Sequence, residues 1–156
     1  MYDVLIENAR IIDGRGNPWY WGSMAIAEGK IAAVGRKVAG EARERVDARG
    51  MYACPGFIDT HTHSDISYLV DGTAQGKVRQ GVTTEVTGNC GMSAAPALGA
   101  ARAASLAFEA LPRWTSMAEY MAALEATAKP VNVAPLVGHG TLRLATVGRD
   151  NRPATA

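Results

Sequence analysis

The sequence predicts an α/β fold in which a parallel sheet follows a short β-rich module, and three observations carry that expectation. Apolar runs at residues 53–59, 83–87 and 131–137 read as strands buried on both faces. The stretches between these runs are long enough for right-handed helical crossovers, which join parallel strands. The first fifty residues instead alternate in short segments punctuated by glycine, so the domain boundary falls near residue 50 and divides 1–50 from 51–156.

Taken in order, residues 2–7 and 9–12 read as two strands, and 23–27 and 30–34 as a hairpin closed by Glu28-Gly29. Short strands at 45–47 and 51–53 flank Arg49-Gly50. A helical candidate at 73–80 lies between the first two apolar runs. Between the second and third, Ser116 and Glu119 form a capping box ahead of Met117, Tyr120, Met121 and Leu124. Those apolar positions recur at helical spacing and read as a stripe packing on the sheet, with Lys129-Pro130 stopping the helix. The final stretch, Asn151-Arg152-Pro153-Ala154-Thr155-Ala156, reads as the start of another helix.

Composition excludes several functions. Of 156 residues, 47% are hydrophobic and 20% charged, which is enough apolar material for a core and argues against disorder. Sixteen Lys and Arg against fifteen Asp and Glu give a net charge of +1, so the chain has no basic field for nucleic acid. No window approaches the roughly 18 consecutive apolar residues of a membrane span. Acids within the first apolar stretch (Asp3, Glu7) argue against a secretory signal, and the expectation is a cytoplasmic protein without a membrane partner. Two cysteines, Cys54 and Cys90, do not make a disulfide framework.

The chemistry concentrates at the ends of the apolar runs. In Pro55-Gly56-Phe57-Ile58-Asp59-Thr60-His61-Thr62-His63, strand alternation turns His61 and His63 to one side and Thr62 to the other, forming a two-histidine clamp for one ion. Imidazole nitrogen suits zinc and its first-row neighbours. The second run ends in Gly88-Asn89-Cys90-Gly91, so a thiol arises at the corresponding end of the next strand, where a divalent ion would lower its pKa and make it a ligand. Cys54, at the opposite end of the first run, reads as a core thiol. The third run ends in Val137-Gly138-His139-Gly140, and His139 suits a substrate contact or a hydrogen bond behind the ligands better than ligation itself. Asp65, close behind the clamp, reads as a carboxylate that either orients it or is simply solvated, with solvation the favoured account.

These residues resemble the amidohydrolase superfamily, and within it the N-acyl-D-amino-acid deacylases (D-aminoacylases). The resemblance rests on residues 55–63, on Gly81-Val82-Thr83-Thr84-Glu85-Val86-Thr87-Gly88-Asn89-Cys90-Gly91, and on Val137-Gly138-His139-Gly140-Thr141-Leu142-Arg143. It implies an incomplete (β/α)8 (TIM-like) barrel of about three βα units, preceded by strands of a small β-sandwich. A complete barrel takes about 250 residues, and about 100 follow the boundary here. The resemblance also implies zinc, one or two ions, with His61, His63 and Cys90 among the ligands. The implied reaction is hydrolysis of the amide of a small N-acyl-D-amino acid to a carboxylate and the D-amino acid. Zinc would lower the pKa of bound water towards about 7 and polarise the carbonyl. A carboxylate must then carry a proton to the leaving nitrogen; the family places that aspartate on the last barrel strand, which is expected beyond residue 156, with two more histidine ligands on middle strands. The chain has three histidines in all, so it is expected to be inactive alone, and unstable or self-associating through unpaired sheet edges.

Two rival readings share part of this pattern. Cyclic-amide hydrolases of the hydantoinase or dihydroorotase kind would use the same His61 and His63 clamp, but they typically take a carboxylated lysine where this chain offers Cys90. A non-catalytic fragment or assembly protein is the other reading, and the retained His61, His63 and Cys90 tell against a long-standing loss of ligands.

Overall fold

A computed structural model describes residues 1–102 and 111–155. The chain divides into two compact units, Met1–Pro55 and Gly56–Ala156.

The first unit is one mixed sheet of five strands: β1 (Tyr2–Ile11), β2 (Tyr20–Ala27), β3 (Lys30–Gly35), β4 (Ala42–Asp47) and β5 (Tyr52–Ala53). The order is β3-β2-β1-β4, with β5 also paired to β1. The two strands expected at 2–7 and 9–12 are one strand interrupted by a bulge between Ile6 and Ala9. Asn8 makes the bulge possible, because asparagine tolerates the left-handed φ of +55° found there and its amide donates to Asp47 Oδ1 at 2.9 Å. The hairpin between β2 and β3 forms as expected, with Glu28 and Gly29 both at positive φ. Ala9, Ile11 and Ala48 form the buried cluster. A sandwich needs two sheets face to face, and the described residues of this unit form a single sheet.

The run at 53–59 is not a single strand. Ala53 closes β5, and Phe57–Asp59 forms β6 of a different sheet. Pro55 has no N–H to give a ladder, which breaks the run. Cys54 therefore lies exposed in a connection, and the expectation of a core thiol is corrected.

The second unit holds a parallel three-stranded sheet in the order β6-β7-β8, with β7 at Val82–Thr87 and β8 at Asn132–Pro135. Short helices α1 (Ser67–Val70) and α2 (Gln75–Val78) follow β6, and α3 (Met117–Ala126) precedes β8. A last helix, α4 (His139–Thr146), follows β8. Only the central strand is buried in the way all three were expected to be. On β6, Phe57 is 58% and Ile58 63% exposed, because an edge strand has a neighbour on one side alone, whereas Glu85 and Thr87 on β7 are fully buried.

Tyr68, Trp114, Tyr120, Leu124 and Val131 build the core of this unit with Ala95 and Ala97. The capping box on α3 is complete: Ser116 Oγ accepts from the Glu119 N–H, and the Glu119 carboxylate accepts from the Ser116 N–H. Of the predicted apolar stripe, Tyr120 and Leu124 are buried and Met117 packs against them, while Met121 is largely exposed. The helix ends at Ala126, ahead of Pro130. Residues 151–155 are not helical, contrary to the reading of the last stretch, since Pro153 follows at once on a bend. No helix among the described residues is long and apolar enough to cross a membrane.

Candidate metal centre

Because β6 and β7 run parallel, with Asp59 opposite Glu85, their continuations emerge at the same end of the sheet. His61 and His63 follow β6 directly, and Cys90 follows β7 after the turn Gly88-Asn89. One ligand atom from each of the three residues lies within 4.8 Å of the others. His61 Nε2 is 3.1 Å from Cys90 Sγ, and the two imidazole centroids are 5.7 Å apart. All three side chains are exposed, so a small molecule can reach them.

The donor set fits a borderline-soft divalent ion. With bonds of about 2.0–2.1 Å to nitrogen and 2.3 Å to sulfur at tetrahedral angles, such an ion holds its N and S donors roughly 3.5 Å apart. The observed spacing needs only small side-chain rotations to meet that.

Backbone geometry explains why the thiol arrives there. Cys90 sits at φ +54°, an uncommon conformation for a residue with a side chain, between Gly88 and Gly91 that also have positive φ. Gly88 is required for a second reason. A Cβ at that position would lie 2.3 Å from Leu136 O, so only glycine lets the loop after β7 approach the end of β8.

Thr62 is buried between the exposed His61 and His63, but the three lie beyond the end of β6, with His61 in a bend, so the expected extended strand does not reach them. The Thr62 N–H donates to Val86 O at 3.3 Å, and its carbonyl accepts from Asn89 Nδ2 at 3.2 Å. Asp59 Oδ1 accepts from the His61 N–H at 3.2 Å. The Lys77 ammonium donates to Asp59 Oδ2 at 2.6 Å and holds that carboxyl below the usual range, helped by the His61 N–H. Lys77 in turn is raised by its hydrogen bond to Asp59 first and by the neighbouring Glu85 carboxylate. Burial raises the Tyr68 phenol, and its hydrogen bond to Glu85 adds to the shift.

His139 stands apart from the three. It is exposed, in the first turn of α4 rather than in a strand-end loop, because Gly138 takes the N-cap position. Its loop nevertheless packs on the one bearing Cys90: Thr141 N–H donates to Gly91 O at 3.1 Å, and Gly138 N–H to Ser93 Oγ at 3.0 Å. Asp65 departs from its solvated reading. It is half-buried, its Oδ1 has no hydrogen-bond partner among the described residues, and burial raises its pKa. Together with His63, Met92 and Ser93 it lines a cleft of about 210 Å³.

The sequence reading passed over Lys77 and Glu85. The available signal was Glu85 itself, a lone acid within the otherwise uncharged run Val82-Thr83-Thr84-Glu85-Val86-Thr87, since a carboxylate in a buried strand demands a cation nearby.

The amidohydrolase family profile matches residues 44–155, and the chain belongs to that family. It is 44% identical over 147 residues to the N-acyl-D-glutamate deacylase of Alcaligenes xylosoxydans xylosoxydans, covering 93% of this chain and 30% of the relative. It is 40% identical over 157 residues to the D-aminoacylase of the same organism, covering 99% and 32%. Among solved structures, it superposes on the N-acyl-D-glutamate deacylase from Bordetella bronchiseptica, complexed with zinc and a phosphonate mimic of the tetrahedral intermediate. That match has a TM-score of 0.82 at 41% identity and covers 96% of this chain and 32% of the other. A D-aminoacylase crystal structure matches with a TM-score of 0.88 at 39% identity, covering 99% and 33%. The chain thus spans about a third of the length of the relatives it matches.

Proposed function

We propose that this chain carries the opening part of a zinc-dependent amidohydrolase that cleaves N-acyl-D-amino acids into a carboxylate and the free D-amino acid. The observation that carries this reading is the approach of His61, His63 and Cys90 to one point at the end of a parallel sheet, in a chain 40–44% identical to deacylases of that substrate class. Its fold is read as the first three βα units of a (β/α)8 barrel, behind strands of a small β-sandwich. The relatives' names and the zinc-bound neighbour support the choice of metal and substrate.

In this reading His61 and His63 would hold zinc through imidazole nitrogen and Cys90 through its thiolate. The ion, when bound, would polarise the scissile carbonyl and activate water. The chain's own residues orient the donors: Asp59 fixes the backbone at His61, and Thr62 anchors the segment between the histidines to β7. His139, on the neighbouring loop, serves as a substrate contact or supports the ligands from behind. The carboxylate that passes a proton to the leaving nitrogen is not assigned to any residue of the 156.

Two measurements test this. Dialysis of the purified chain against zinc, followed by elemental analysis, should show bound metal that is lost in Cys90→Ala; absence of zinc in the parent chain would overturn the ligand assignment. Assayed on N-acetyl-D-methionine, the monomeric 156-residue chain should show no zinc-dependent turnover, and turnover would refute the need for a further carboxylate.

A further inference from the structure

Behind the histidine pair lies a set of charges for which the zinc chemistry has no direct use. Glu85, at the middle of β7, is fully buried. Its carboxylate accepts from the Tyr68 hydroxyl, and its Oε1 forms an ion pair with Lys77 Nζ at 2.8 Å, off the ideal hydrogen-bond direction. The same ammonium donates to Asp59 Oδ2 at 2.6 Å and to Thr62 Oγ1 at 3.2 Å. One cation from α2 therefore meets the end of β6, the centre of β7 and the residue that separates the two histidines.

A fully buried carboxylate paired with a partly exposed ammonium is a poor device for stability alone, because well-packed apolar residues serve a core as well or better. Its strength is geometric definition, since breaking any contact leaves a charge uncompensated. Here that definition converges on Thr62, which is held on three sides: the hydroxyl by Lys77, the N–H by Val86 O and the carbonyl by Asn89 Nδ2. Asn89 also donates to Val86 O at 2.8 Å and directly precedes Cys90, so the same lattice ties the histidine segment to the cysteine loop.

We infer that Lys77 is a positioning residue of the metal site, locking the segment His61-Thr62-His63 against β7 so that both imidazoles face Cys90 before an ion binds. The inference rests on the reading of His61, His63 and Cys90 as ligands. Lys77 touches neither metal nor substrate; it acts through Asp59 and Thr62. Residues that orient metal ligands in this way typically change affinity by about 10–100-fold when removed.

The test is zinc and cobalt titration of the purified 156-residue chain and four variants, with folding followed by circular dichroism. Thr62→Val removes the direct contact of Lys77 with the histidine segment, along with the 2.9 Å contact between the Thr62 and Ser64 hydroxyls, while leaving the Asp59 and Glu85 ion pairs of Lys77 in place. Ser64→Ala serves as the control for the second loss and should bind zinc as the parent does. Lys77→Met removes the cation, and Lys77→Arg restores it. The parent chain should bind zinc and, with cobalt, show a thiolate charge-transfer band. Thr62→Val and Lys77→Met should bind zinc about 10–100-fold more weakly with a shifted cobalt band, and Lys77→Arg should recover part of the loss. A purely structural role would lower the melting temperature and leave the affinity of the folded protein unchanged, so parent-like zinc binding by folded Thr62→Val and Lys77→Met overturns the inference. If Lys77→Met does not fold, Thr62→Val decides. If the parent itself binds no zinc, the ligand reading fails first and carries the inference with it.

Discussion

His61 Nε2 lies 3.1 Å from Cys90 Sγ although 29 residues separate them in the chain. Parallel pairing of β6 with β7 brings the two together, because it delivers both strand ends to one edge of the sheet. Cys90→Ala is expected to weaken zinc binding by more than about a hundredfold, since losing a ligand costs more than losing its supporting partner. Competition with a chromophoric chelator measures this, and unchanged affinity would remove the thiol from the ligand set.

Gly138 presses on the cysteine loop. A Cβ there would stand 2.5 Å from both the carbonyl carbon and oxygen of Gly91, with no flexible side chain to yield. Gly138→Ala should therefore destabilise the chain by about 1–3 kcal/mol, the range for overpacking, and weaken metal binding by displacing Cys90. Thermal denaturation and zinc titration of the variant give both quantities; wild-type values for both would show that the two loops do not meet.

The capping box predicts a pH dependence. Glu119 accepts N–H bonds from Thr115 at 2.6 Å and Ser116 at 2.9 Å, first of all through Ser116, and its pKa is lowered. A carboxyl depressed in the folded state adds stability above its unfolded pKa of about 4.3 and loses it as pH falls through the folded value. Glu119→Gln should thus be less stable than the parent at pH 7, with the difference shrinking in acid below about pH 4. Denaturant melts across that range decide it, and a gap that widens in acid would contradict the cap. Ser116→Ala should cost about 0.5–2 kcal/mol at any of these pH values.

Phe57 and Ile58 leave β6 with an exposed apolar edge. Such an edge invites pairing with another chain, and a lysine on it is the usual deterrent. The chain should self-associate at micromolar concentration, with Ile58→Lys shifting sedimentation towards monomer. A monomeric parent would show that the edge is protected.

Part of the candidate site was legible because it is local. His61 and His63 stand two residues apart and are visible as a candidate pair from spacing, although they lie just past β6 rather than in it, and Ser116 with Glu119 announces the start of α3 at fixed spacing. Glu28-Gly29 specifies a hairpin turn in the same way. The burial of the strands was not legible, because it depends on neighbours: the apolar run containing Ile58 looks no different from that containing Val86, yet one lies at an edge and the other at the centre. The break at Cys54 and Pro55, which sends Ala53 to one sheet and Phe57 to another, escaped for the same reason.

By itself, then, the amino-acid order determined the parallel α/β plan, the helix and turn boundaries with local chemistry, and the residue types able to grip a metal, since each of these depends on spacing over a few residues. Only tertiary structure decided that Lys77 would meet Asp59, Thr62 and Glu85, that Asp65 would be half-buried, and that His139 would open a helix apart from the three converging donors. Those outcomes depend on which strand lies beside which and on what remains uncovered, and contacts between distant residues carry no periodic signature in the chain.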